Sequence, residues 1–160
     1  MKIDFLDSIE KIKKEDWDAV LSSKYPFLKY EFLKALEVTN CVSPEQGWTP
    51  LHLVASENTR IMAIMPLYIK TDSQGEFIFD WSWADAYHRH GLNYYPKCVT
   101  AIPFTPATGP RLLIQDGYDR GVVTELLIKT LKSELSDQVS SWHILFPDEE
   151  TSRDLLTQGS

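Results

Sequence analysis

The spacing of apolar positions changes from segment to segment along the chain, and each spacing predicts an element. Residues 1–6 alternate weakly, as a first strand does. Over 15–21, Trp17, Val20 and Leu21 fall on one helical face, and Phe27, Leu28, Phe32, Leu33 and Leu36 continue that period after Pro26. Residues 40–48 hold Pro44 and Gly47 and read as a loop. Over 49–56 Leu51, Leu53 and Ala55 alternate as in a strand, and Asn58 marks a hairpin turn. Residues 60–70 are apolar on both faces, which predicts one central strand covered from both sides.

Asp72, Ser73 and Gly75 predict a turn, and 76–81 a short aromatic strand or extended segment. Trp83 and Tyr87 stand one turn apart in a helix over 83–90, with Gly91 in a helix-terminating position. Strands are predicted over 97–104 and 111–115, separated by a proline- and glycine-bearing loop over 105–110. Asp119 is placed to cap the clearest helix, in which Val123, Leu127 and Leu131 recur at four-residue spacing. A strand over 140–146 follows, and then a helix opened by Pro147 and Asp148. The element order is similar to that of the acyl-CoA N-acyltransferase (GNAT) fold up to its fourth helix. The expectation is therefore an α/β, GNAT-like domain over 1–160, with a mixed, mainly antiparallel sheet flanked by helices. That fold needs two more strands, so the chain reads as truncated, the N-terminal half of a longer two-domain protein. Whether Gly159 and Ser160 are native stays open.

Composition narrows the function classes. The chain has 160 residues, 43% of them hydrophobic and 24% charged, as in an ordinary globular protein with a sizeable core. A net charge of −7 argues against this half gripping nucleic acid, which needs clustered Lys and Arg. Cys41 and Cys98 are too few for a secreted disulfide framework, and the N-terminus has no signal-length apolar run. No stretch approaches the ~20 apolar residues of a membrane span. These features predict a cytoplasmic protein.

Between Pro66 and Leu113 the regular periods fail. Trp81, Trp83, Tyr87, Tyr94, Tyr95 and Phe104 are interleaved with Lys70, Glu76, Asp80, Asp85, Lys97 and Arg111. Departure from local pattern rules marks this segment as the candidate site. Several phrases carry a resemblance: PFLKYEFLKALE, GWTPLHL, PLYIK, SQGEFIFDWSWADAY, YYPK, PFTPATGPRLL and SSWHILFPDEE. In this order they resemble the bacterial FemAB-like family of peptidoglycan biosynthesis or recognition proteins. The resemblance runs nearly end to end. It implies a GNAT-like fold and transfer of an acyl or aminoacyl group to an amine linked to cell-wall precursors. Acyl-CoA or aminoacyl-tRNA would be the donor of the full-length protein, with a missing C-terminal half as partner. One departure is Asp72, where the family usually has His.

Glu76 and Asp80 are the candidate catalytic acids or bases, because deprotonating an amine needs a nearby carboxylate of raised pKa. The competing reading is that they pair with Lys70, Lys97 or Arg111 and simply hold the aromatic segment. Lys70, Lys97 and Arg111 suit recognition of a carboxylate or phosphate. Trp81, Trp83, Asp85, Tyr94, Tyr95 and Thr105 complete the candidate substrate-binding set. The same segment also suits a non-catalytic recognition surface for a cell-wall peptide or a partner domain. An open sheet edge would further allow a homo-oligomer. His88 and His90 are two apart, on nearly opposite sides of a helix, so no metal is expected there. Asp116 and Asp119 precede the long helix, where a cofactor pyrophosphate would otherwise sit, so no cofactor is expected to be bound by this half. Ser140 and Ser141 lack a glycine elbow, which leaves a serine hydrolase unsupported.

Overall fold

A computed structural model describes residues 1–21 and 24–158; Gly159 and Ser160 lie outside the described residues. The chain runs β1 (Lys2–Leu6), α1 (Lys14–Val20), α2 (Tyr30–Val38), β2 (Trp48–Pro50), β3 (His52–Glu57), β4 (Arg60–Met65), β5 (Tyr68–Lys70), α3 (Trp81–Arg89), β6 (Lys97–Thr100), β7 (Leu113–Ile114), α4 (Arg120–Leu135), β8 (Trp142–Ile144) and α5 (Glu149–Leu156). Short 3-10 turns occupy Ile9–Lys11, Pro26–Leu28 and Pro44–Gln46. The strands form two four-stranded sheets, β1-β3-β4-β7 and β2-β5-β6-β8. Every pairing is antiparallel except β6 with β8.

The single sheet expected from the sequence is thus divided. The predicted strand over 60–70 breaks after Met65, and the one over 49–56 breaks at Leu51. Pro50 and Pro66 lie at this break, and neither has an N–H to donate to a ladder. The facing strands stay stitched by the Leu51 N–H, which donates to the Leu67 carbonyl at 2.8 Å. The strands predicted over 97–104 and 111–115 also shrink. β6 pairs with β5 and β7 with β4, while 101–112 loops out between them. Residues 76–80 form no strand; they are an unpaired segment with Phe77 at φ +59°.

Alternation along β3 and β4 separates two cores. Leu53, Ala55, Ala63 and Met65 point toward the buried stripe of α4, made by Val123, Leu127, Leu131 and Leu135. Val54 and Ile64 point the other way, onto Ile9, Ile12, Trp17, Val20, Leu28 and Leu33. Cover on both faces explains the uninterrupted apolar run of β4. The Trp17 indole N–H donates to the Leu28 carbonyl at 2.7 Å, satisfying a polar group inside this core. Asp119 and Asp148 cap α4 and α5 by accepting from the Val122 and Thr151 N–H groups. Among the described residues, no helix is long and apolar enough to cross a membrane.

Candidate functional site

Lys70 ends β5 and Lys97 begins β6, and register sets them directly opposite each other. Both are buried. Two like charges facing across strands destabilise a sheet unless opposite charge is brought in. The chain between them supplies it. After the turn at 71–75, the segment folds back over the lysines and carries Glu76 and Asp80 inward.

Lys97 Nζ donates to Glu76 Oε2 at 2.8 Å and also pairs closely with Asp80 Oδ2. The Tyr94 hydroxyl donates to Asp80 Oδ2 at 2.6 Å and the Tyr95 hydroxyl to Asp80 Oδ1 at 3.1 Å. Asp80 is the residue preceding α3, yet it makes no side-chain capping bond there. Its oxygens are spent on Lys97 and the tyrosines instead. Lys70 Nζ donates to the Gln74 carbonyl at 3.0 Å and to Asp72 Oδ1 at 3.4 Å, and lies 3.9 Å from the centre of the Trp48 ring system. Glu76 Oε1 is buried without a hydrogen-bond partner.

This environment divides the two carboxylates. Burial raises the Glu76 pKa, and Lys97 only partly opposes it. Burial also disfavours the charged form of Asp80, but hydrogen bonds from Lys97, Tyr94 and Tyr95 outweigh it, so its pKa falls below the usual value. Lys70 is lowered by burial against the attraction of Asp72 and Glu76. Tyr95 is pushed up to about 12, first by burial, and Tyr94 is raised by burial and by its bond to Asp80.

Above this charged layer the surface is apolar. Phe77, Phe79, Trp81 and Trp83 are 51%, 69%, 68% and 66% exposed, and α3 has no buried residue. Phe79 and Trp81 have ring centroids 5.0 Å apart. Glu76, Asp80, Lys97, Tyr94 and Tyr95 are thus brought together with Lys70 at their side, and the tryptophans stand on the outside. The remaining candidates lie elsewhere. Asp85 pairs with Arg89 on the exposed face of α3. Thr105 donates to the Pro103 carbonyl. Arg111 is fully buried, donating to the carbonyls of Leu145 (2.8 Å), Pro110 (2.9 Å) and Ala107 (2.8 Å). Its guanidinium ties the looped-out 101–112 segment to the end of β8. Sequence reading placed no role on Trp48 or on the Gln74 carbonyl. Trp48 lies opposite Lys70 in the register of β2 with β5, a relation the linear pattern does not carry.

The N-terminus of α4 is occupied by Asp119, and Arg120 beside it pairs with Asp154 at 2.7 Å. Among the described residues, no group of three or more His, Cys, Asp or Glu could hold a metal ion. His90 Nδ1 is bonded to the Ala86 carbonyl.

A mixed α/β body with two mostly antiparallel sheets and a charge-anchored aromatic face is the class these features define. A family model for FemAB-like proteins, described as peptidoglycan biosynthesis/recognition, matches residues 8–160, and the chain belongs to that family. Its role is accordingly a peptidoglycan-related one. No curated protein and no solved structure matches the chain.

Proposed function

We propose that this chain is the GNAT-like recognition half of a FemAB-like acyl- or aminoacyltransferase, and that its aromatic face binds the cell-wall precursor or peptide on which the longer protein acts. The observation that carries this reading is the contrast between the layers. Charged groups are buried and matched beneath, while Phe77, Phe79, Trp81 and Trp83 are exposed above them. Large aromatics at a surface supply contact area at low entropic cost, having few rotatable bonds. Leaving them in water has no stabilising value to this domain. The donor would be held by the rest of the longer protein, since Asp119 already fills the α4 N-terminus.

The test is fluorescence titration with a soluble disaccharide-peptide fragment of peptidoglycan. Saturable quenching is expected, lost in Trp81→Ala and Trp83→Ala variants that keep their far-ultraviolet circular dichroism. No saturable signal would refute this assignment. A second reading makes Glu76 a general base, favoured by its raised pKa and its unpartnered Oε1. It requires Glu76→Gln to abolish transfer by the longer protein while fragment binding persists.

A further inference from the structure

Two acids share one lysine beneath the aromatic segment, and all three side chains are buried. Lys97 Nζ lies 2.8 Å from Glu76 Oε2 and also contacts Asp80 Oδ2. The two acids are not equivalent. Both oxygens of Asp80 are occupied, Oδ1 by the Tyr95 hydroxyl and Oδ2 by Tyr94 and Lys97. Glu76 has Oε2 on Lys97, whereas its Oε1 is buried without a hydrogen-bond partner among the described residues. A buried carboxylate oxygen left in this way is costly as long as the group is charged. We infer that Lys97 and Glu76 condense to a side-chain amide, with Asp80 carrying the protons, and that this covalent bridge ties the aromatic segment to β6. The inference does not depend on what the aromatic face binds.

The step needs nothing beyond these three groups. Asp80 takes one proton from the Lys97 ammonium and passes it to the Glu76 carboxylate. The freed lone pair on Nζ attacks Glu76 Cδ, and a C–N bond forms. Asp80 then moves a second Nζ proton to a Glu76 oxygen, the C–O bond breaks, and that oxygen leaves as water. Nζ keeps one hydrogen, and Asp80 ends as the carboxylate it began as. Burial assigns the roles: it makes Glu76 the weaker acid and the acyl group, while its hydrogen bonds keep Asp80 ionised and able to accept a proton. Holding nucleophile and acyl carbon side by side gives effective concentrations on the order of 10⁵–10⁸ M. The amide also removes the charge that Oε1 leaves unmatched and one of the buried charges facing each other across β5 and β6. The salt-bridged chain is the precursor, and Glu76 titrates only in that form. A completed bridge consumes Glu76 and excludes the reading of it as a general base.

Intact-mass spectrometry of the whole chain, followed over time in native buffer, tests this. A species lighter by the mass of one water is expected to accumulate. Trypsin should then leave Lys97 uncut and join residues 71–89 to 90–111, with fragment ions placing the bond at Glu76. The same chain held in urea should form no such bond, because the alignment is lost. Lys97→Arg keeps the positive charge and should keep its full sequence mass. Asp80→Asn should slow bridging by about a hundredfold, the lower end of the contribution of a positioned proton carrier. Four outcomes overturn the inference: a native mass that does not change, loss of water without a Glu76–Lys97 join (as ring closure at Asp116-Gly117 would give), a bond placed at Asp80, or equal bridging in urea. Bridging of Asp80→Asn at the native rate overturns the role given to Asp80. Each of these results leaves the titration with the peptidoglycan fragment to be decided on its own.

Discussion

Replacing Lys97 by Met removes the one cation that Glu76 and Asp80 share. The side chains are of similar length, so the effect is chiefly electrostatic. Breaking a buried ion pair from one side costs roughly 3–5 kcal/mol, because the partner charge stays buried and unmatched. Two features set the expected loss at the low end. Asp80 keeps both tyrosine hydroxyls, at 2.6 and 3.1 Å, and Glu76, already raised by burial, can take up a proton. Relief of the cross-strand repulsion with Lys70 returns roughly 0.2–1 kcal/mol. The expected destabilisation is therefore about 3 kcal/mol, a large part of a typical domain's stability. In urea, with a slope of about 2 kcal/mol/M, the midpoint should fall by about 1.5 M. Circular dichroism and tryptophan fluorescence should follow the same transition. Adding Glu76→Leu to Lys97→Met should recover part of the stability, since it removes one of the two carboxylates left without a cation, while Asp80 keeps only its two tyrosine hydroxyls. A Lys97→Met loss below about 1 kcal/mol, or no recovery in the double variant, would show that the buried cluster does not anchor the segment.

Other consequences follow from the same geometry. Glu76 has a raised folded pKa, so its contribution to stability grows as pH falls from neutral through that value; Asp80 has a lowered one, so its contribution is lost on further acidification through it. Glu76→Gln should remove the first limb of the stability–pH curve and keep the second, measured by urea midpoints across the acid range. Cys98 is buried and its thiol is pushed up to about 12 by burial, whereas Cys41 is exposed. A thiol reagent should label Cys41 in the native protein and reach Cys98 only on unfolding, read by mass spectrometry. Trp17→Phe leaves the Leu28 carbonyl without its donor in the core and should cost about 1–3 kcal/mol in the same urea assay.

Much of the scaffold is legible in the sequence. The four-residue repeat of Val123, Leu127 and Leu131 located α4, Asp119 marked its cap, Pro147 and Asp148 marked the opening of α5, and Asn58 marked the β3–β4 turn, because capping, turns and amphipathic stripes depend on near neighbours. The division into two sheets was not legible. It depends on where Pro50 and Pro66 fall in the register of the paired strands, with Pro50 opposite Tyr68 and the Leu51 N–H on the Leu67 carbonyl, a matter of register rather than of sequence distance. The unusual segment announced itself as the candidate site, but its internal arrangement did not. Arg111 and Lys97 looked alike as charges beside apolar strands. Only the fold sent Arg111 to three backbone carbonyls and Lys97 to two carboxylates. The chain itself determined which residues alternate, cap and turn, and which stretch obeys no period. The tertiary structure decided which charges are buried together and which aromatic rings remain in water, because burial and pairing are set by strands that meet only after the chain has folded.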